Sequence, residues 1–406
     1  MKICLVTNEY PPQSHTGGIG TRFRNLALGF VSLGHKVSVI TRIEGRGNSV
    51  SDEDGVRVYR ISPSQIALRG FWRIEGVLPS TVSRLSYSAC VSRKLHELIR
   101  ADQVDVAISP EWGAELFWFA LAPGRKRVPL VVSVSGPSFV MNRFADGKRR
   151  LDLLLTEWLE KILLLRADAI HAVSAQVARE VSEKYRLPMN RFRVIHNPVD
   201  TRIFAPDPSA KITGKTLLYV GRLEERKGVG ILAAALRIVH KTHPDARCVF
   251  IGRDMSGRIQ GASMRFYLLK LLDDSGSRVE FHDHMSHEKL VSFYQKADIG
   301  IFPSLSEPSG NVCLEAMACG KPVILTKNSG LWEVLQDRFI GLSVNAGDAT
   351  GLAKTIVELL NDEALRETLG ARARKTAEDH FSTHRIVPQW LELIESARPG
   401  TVSSSN

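Results

Sequence analysis

Residues 297–326 read ADIGIFPSLSEPSGNVCLEAMACGKPVILT. An apolar run leads into a loop of Ser, Pro and Gly, then into a helical segment, and a second apolar run follows. Glu307 falls in the loop and Glu315 inside the helix, with seven residues between them, so one carboxylate lies on each side of a helix start. Ser309 is the expected N-cap, Gly310 and Asn311 permit a tight turn, and the first free amides point at whatever lies above the loop. That arrangement suits an anion flanked by hydroxyls. Taken alone, the stretch equally allows Ser309 to be only a cap, Glu315 only a partner of the helix dipole and Glu307 a solvated loop residue.

The strand, loop and helix unit recurs along the chain. Upstream, KICLVT is followed by a helix around TRFRNLALGFVSLG, then by HKVSVIT, VRVYRI, VDVAIS, PLVVSV, DAIHAV and FRVIHN. Gly34 stands where a helix-ending C′ glycine is expected, and near-continuous apolar strands predict a parallel sheet covered on both faces. From Thr216 the pattern restarts with TLLYVG, RCVFIG, SRVEFH, ADIGIF, PVILT and GLSVNA. The fold class is therefore α/β, with two Rossmann-like doubly wound domains and a ligand cleft expected between them. The boundary falls in the turn-rich HNPVDTRIFAPDPSAKITGK. We assign 1–200 to a first domain, 201–380 to a second, 381–397 to a C-terminal helix returning to the first domain, and 398–406 to a disordered tail.

Length and composition agree with two folded cores. At 406 residues, with 44% hydrophobic and 24% charged residues, the chain is neither disordered nor of a membrane-spanning class. No run of eighteen apolar residues and no signal region is present, so a cytoplasmic location, extending to the inner face of the membrane, is expected. The net charge of +11 implies attraction to nucleic acid, anionic lipid or phosphorylated substrates. The basic residues are spread over both halves without a legible nucleic-acid module, so nucleic acid is not an expected partner. The five scattered cysteines read as reduced core thiols.

Two glycine-rich loops follow first strands. In VGRLEERKGVG, Arg222, Arg226 and Lys227 outweigh Glu224 and Glu225 at a helix start, while Gly221, Gly228 and Gly230 permit close backbone approach. A phosphate would complete the balance, and an exposed charged turn is the other reading. The loop TNEYPPQSHTGGIGTRFRNLA is long for its type and carries Gly17, Gly18 and Gly20 where open α/β sheets bind ligands. The clustered His282, His284 and His287 lack a fourth ligand and read as a surface loop, so no metal site is assigned.

The ordered set PP…GGIG, GRLEERKG and ADIGIFPSLSEPSGNVCLEAMACGKPV resembles the family 4 retaining glycosyltransferases of the GT-B fold. The resemblance extends to HNPVDTRIF and SPEWGAE. It implies transfer of a sugar from a nucleoside diphosphate, UDP or GDP, to a glycan or glycolipid acceptor, with no metal or other cofactor. By this resemblance Arg222 and Lys227 hold the donor diphosphate, Glu315 accepts from the ribose hydroxyls, and Glu307 lies at the transferred sugar. Arg222, Lys227 and Glu307 are the catalytic residues. The amides of Ser309, Gly310, Asn311 and Val312 complete the cradle, and Gly17 and Gly18 let the first domain's loop approach the donor. Two departures stand out: Ser135 replaces a usual histidine after PLVVSV, and Asp283 replaces a glycine near the nucleotide base.

On the acceptor side Glu111, Trp112 and Ser135 are the candidates. The loop carrying Arg69, Phe71, Trp72 and Arg73 is suited to sugar or to a membrane surface. The segment NRFADGKRRLDLLLTEWLEKILLLRAD joins Arg143, Lys148, Arg149 and Arg150 to an apolar helix, read as core in preference to an anchor. A peripheral contact with anionic membrane is retained as an expected partner. Two rivals remain: a nucleotide-sugar 2-epimerase of the same fold, and a non-catalytic sugar-nucleotide-binding subunit.

Overall fold

The computed structural model describes residues 1–12, 17–43, 45, 47–62, 77–123, 128–142, 150–210, 215–255, 262–336 and 340–398. The chain divides into two compact units, one formed by Met1–Pro198 with the residues from Thr383 onward, the other by Val199–Ser382.

The first unit holds an eight-stranded sheet. Its strands are β1 (Lys2–Thr7), β2 (Lys36–Arg42), β3 (Ser49–Glu53), β4 (Val56–Ile61), β5 (Val106–Pro110), β6 (Leu130–Val134), β7 (Ala169–Ala172) and β8 (Phe192–Val194). They lie in the order β3-β4-β2-β1-β5-β6-β7-β8. All neighbours are parallel except the edge pair β3 and β4. That hairpin turns at Asp54 and Gly55, with φ of 51° and 82°, the positive pair a two-residue turn needs. Strand alternation separates two cores: Ile3 and Leu5 point into one with Phe23, Phe30 and Trp390, and Cys4 and Val6 into the other with Tyr87, Leu95 and Leu163. The helices Gly18–Ser32 and Thr383–Ser396 pack together over the first core. Gly29 makes this possible, since a β-carbon there would lie 2.4 Å from Val387 Cγ2.

The second unit holds β9 (Thr216–Val220), β10 (Arg247–Ile251), β11 (Val279–His282), β12 (Ile299–Phe302), β13 (Val323–Thr326) and β14 (Gly341–Val344). This sheet is wholly parallel, in the order β11-β10-β9-β12-β13-β14. Leu217 and Tyr219 join one core with Leu232 and Leu236, whereas Leu218 and Val220 join the other with Leu314 and Met317. The turn-rich segment after Pro198 is not a free linker. Phe204 is buried, and Arg374 Nη1 donates to the carbonyls of Thr201 (3.1 Å), Phe204 (2.8 Å) and Ala318 (2.6 Å). Among the described residues no helix is long and apolar enough to cross a membrane.

In each sheet the strand order reverses beside the first strand, at β1/β5 and at β9/β12. Crossovers leave to opposite faces there, so the loops at the carboxyl ends splay apart and open a crevice.

Candidate functional site

In the second unit the loops after β9 and β12 interlock. Gly228 has φ +69°, and a β-carbon on it would sit 1.9 Å from the Pro303 carbonyl oxygen. The Leu305 amide donates to the Arg226 carbonyl (2.8 Å), and the buried Arg226 side chain donates to the Ser306 carbonyl (2.8 Å) and Glu224 Oε1 (2.8 Å). Arg226 is thus a cross-loop anchor. Its neighbour Lys227 reaches the next residue of the same loop and pairs with Glu307 Oε2.

Glu307 is held from several sides. Its Oε1 accepts from the amides of Gly310 (3.2 Å) and Ser309 (3.5 Å), and its carbonyl accepts from the Gly330 amide (2.8 Å). Burial alone would raise its pKa, but the Lys227 ammonium and the Arg226 guanidinium outweigh burial and hold the carboxyl at about 2. The pair keeps some contact with solvent, at 16% for Lys227 and 12% for Glu307. Lys227, Glu307, Ser304, Gly310, Val312 and Ser329 line a small pocket. Arg222 stands apart: its side chain is 51% exposed, with one nitrogen 3.2 Å from Glu224 Oε1.

The expected Ser309 cap is corrected. The helix Asn311–Ala318 is entered through Gly310, at φ 66° and ψ 35°, and carries no side-chain cap. The left-handed residue turns the chain so sharply that the Glu307 carboxylate, and not the Ser309 hydroxyl, meets the amides before the helix. Cys313 and Leu314 donate to the Gly310 carbonyl, and the Val312 amide has no protein acceptor among the described residues. Glu315, one turn on, is 6% exposed and accepts from the Tyr294 hydroxyl at 2.8 Å. Burial pushes its carboxyl up to about 7. Together these groups offer one ammonium, one exposed guanidinium and a free helix amide to an anion, with a second carboxylate nearby in the chain for hydroxyl donors.

In the first unit the Gly17 amide donates to Glu9 Oε2 at 2.7 Å, and Gly18 begins the helix Gly18–Ser32. Glu111 is fully buried and accepts from the amides of Ser135 (2.9 Å) and Gly136 (2.7 Å), so it braces the turn after β6. Trp112 is half-buried, with the Arg84 guanidinium carbon 5.3 Å from its ring centroid. Arg69, Phe71, Trp72, Arg73, Arg143, Lys148 and Arg149 lie outside the described residues. His282 packs on Phe293 and His287 on Phe204, at ring separations of 4.9 and 5.5 Å. No group of three or more His, Cys, Asp or Glu among the described residues is placed to hold a metal.

Sequence reasoning missed three side chains. Arg226 entered only as one charge of a basic loop, and nothing in its spacing separates it from Arg222 or Lys227. Tyr294 lies 21 residues from Glu315, and no spacing rule connects them. Arg22, 2% exposed on the first helix, reads as a surface residue in the basic string TRFR.

Comparison with known proteins agrees with this architecture. The chain matches Glycosyltransferase Family 4 over residues 16–203 and Glycosyl transferases group 1 over residues 202–376. It is 27% identical to an uncharacterized glycosyltransferase of Methanocaldococcus jannaschii, with 98% of each chain covered. Sucrose-phosphate synthase from Thermosynechococcus elongatus superposes with a TM-score of 0.79 at 23% identity, covering 97% of this chain and 98% of that one. An Anabaena protein solved with UDP and glucose superposes with a TM-score of 0.74 at 20% identity, covering 98% of this chain and all of that one (100%). Matched in turn through both halves, the chain belongs to the group 1 glycosyltransferases, with a family 4 amino-terminal region and the GT-B fold.

Proposed function

We propose that this enzyme transfers a hexose from a nucleoside diphosphate to a hydroxyl of a glycan or glycolipid, with retention at the anomeric carbon and without a metal. The observation that carries the reading is the Lys227–Glu307 pair, which lines one pocket with Val312 of the following helix, while Arg222 on the same glycine-rich loop as Lys227 stays exposed, at the carboxyl edge of a parallel sheet. As the bond from the anomeric carbon to the diphosphate oxygen breaks, negative charge grows on the diphosphate, and Lys227, Arg222 and the Val312 amide stabilise it. The acceptor oxygen bonds to the same face of the oxocarbenium-like carbon, and its proton passes to the departing diphosphate oxygen. Two cations and an amide then do the neutralising work a divalent ion does elsewhere.

The test is incubation with UDP- and GDP-sugars and a panel of glycan and lipid-linked acceptors, with product stereochemistry read by NMR. The expected product keeps the donor's anomeric configuration, and its rate of formation is unchanged by EDTA. An inverted product, or epimerised donor in the absence of acceptor, overturns the reading.

A membrane contact is part of the same proposal. The helix Arg150–Arg166 buries Leu159, Leu163 and Leu164, yet also exposes Leu151 (58%), Leu154 (52%), Trp158 (53%) and Leu165 (47%). Beside it the short helix Phe117–Leu121 exposes Trp118 (44%) and Leu121 (39%), and the Phe117 and Trp158 rings are 6.3 Å apart. The core reading of this helix thus accounts for one face only. A second apolar face flanked by Lys161 and Arg166 fits the headgroup region of an anionic bilayer. Co-sedimentation with phosphatidylglycerol vesicles is expected, with little on phosphatidylcholine alone, and Leu154→Glu with Trp158→Glu should abolish it without changing turnover on a soluble acceptor. Equal retention of the variant on vesicles, or a wild-type dimer that the variant disrupts, would exclude the membrane role.

A further inference from the structure

We infer that Tyr294 is a positioning residue that divides the Glu315 carboxylate, holding one oxygen so that the other faces the ribose hydroxyls of the donor. This rests on the donor-site reading above. Tyr294 is fully buried on the helix His287–Lys296, and its ring meets Phe204 edge-on at 5.9 Å. Its hydroxyl lies 2.8 Å from Glu315 Oε2 and 3.1 Å from the Val312 carbonyl. The single hydroxyl proton is thus shared between the carboxylate and the first turn of the same helix.

That geometry fixes a side chain which otherwise has two staggered torsions and a freely turning carboxylate. Glu315 Oε1 takes no protein donor among the described residues. Among the described residues no ammonium or guanidinium acts on the group. The titratable side chains that face it are Tyr294 and the Cys319 thiol. A buried carboxylate with one hydrogen bond and no counter-ion is under-satisfied. A vicinal diol supplies the two O–H donors it lacks, without bringing a charge. A cation would be the alternative remedy, but Lys321, the nearest lysine in the chain, directs its ammonium to the Gln295 carbonyl at 2.8 Å.

The experiment is calorimetric titration of the full-length protein with UDP, GDP and ADP, then with the 2′,3′-dideoxy form of whichever binds, and with inorganic pyrophosphate. Tyr294→Phe keeps the ring and removes only the hydroxyl. It is expected to weaken the ribonucleotide by about tenfold, and to leave pyrophosphate and the dideoxy nucleotide unchanged. The hydroxyl also favours ionised Glu315, so the acidic limb of ribonucleotide affinity should move to higher pH in the variant. A purely structural tyrosine would instead weaken all three ligands together, or none, and either outcome overturns the inference. Glu315→Gln separates this from the underlying reading. If Glu315→Gln weakens the ribonucleotide and Tyr294→Phe does not, only the positioning role fails. If neither does, or if no nucleoside diphosphate binds the wild type, the donor site itself is misassigned.

Discussion

Lys227→Ala is expected to lower kcat for sugar transfer by about a thousandfold, the scale seen when one preorganised charge-stabilising donor is removed, while the protein remains folded. The two halves of that statement come from different residues. Loop anchoring belongs to Arg226, whose guanidinium reaches the Ser306 carbonyl and Glu224; Lys227 contributes a single ammonium to Glu307 and keeps 16% of its side chain in solvent. Arg222→Ala should cost less, because a side chain 51% exposed is screened by water until donor arrives. The variant also has an acid signature. With Lys227 present, the Glu307 pKa is depressed from 4.5 to about 2, so its contribution to stability is present above the unfolded value and is lost as pH falls through the folded one. Removing the ammonium raises the folded value. Less stability should then be lost on acidification in Lys227→Ala than in wild type, so its Tm should fall less steeply with pH below the unfolded carboxylate value, measured by differential scanning calorimetry across the acidic range. A variant with near-normal transfer would remove Lys227 from the chemistry, and one with an unchanged acid limb would remove it as the counter-ion of Glu307.

What the chain discloses before its structure is known depends on how local the determining interactions are. Strands such as LVVSV and RCVFI are covered on both faces, so each is a continuous apolar run, and two sheets can be counted directly. The edge strand Ser49–Glu53 is the contrary case: SVSDE has one apolar residue, Val50, itself 51% exposed. It is recognisable only from the Asp54-Gly55 turn signal beyond it. The site behaves similarly. Lys227 and Glu307 each stand out as charges in glycine-rich loops, but they are 80 residues apart in the chain. Their pairing is created by the adjacency of β9 and β12, which no spacing encodes. Ser309 is a good capping residue by type, and loses that place because Gly310 adopts a backbone conformation the serine would resist. In the helix Arg150–Arg166, periodicity reveals apolar residues all round without revealing which face has a cover.

The interlock of the two loops leads to a large expected stability effect. Gly228→Ala must place a β-carbon where the Pro303 carbonyl oxygen lies only 1.9 Å away, and must do so at φ +69°. The contact is with backbone, so no side chain can swing aside. Either β12's loop retreats, breaking the Leu305 amide to Arg226 carbonyl bond of 2.8 Å, or the helix Val229–Thr242 loses its start. Left-handed strain costs about 1 kcal/mol and overpacking a further 1–3 kcal/mol. A total of about 3 kcal/mol lowers Tm by roughly 10 °C in a domain of this size. Gly347→Ala provides the comparison, since Gly347 has φ +85° and a β-carbon there meets nothing within 4 Å. It carries the strain without the collision and should lower Tm by only a few degrees, about a third of the effect. Equal shifts in the two variants would mean that backbone conformation alone accounts for Gly228 and that the loops can part freely. The expected inequality means that their close approach holds Lys227 against Glu307, so Gly228→Ala should also lose sugar transfer at temperatures where it is still folded.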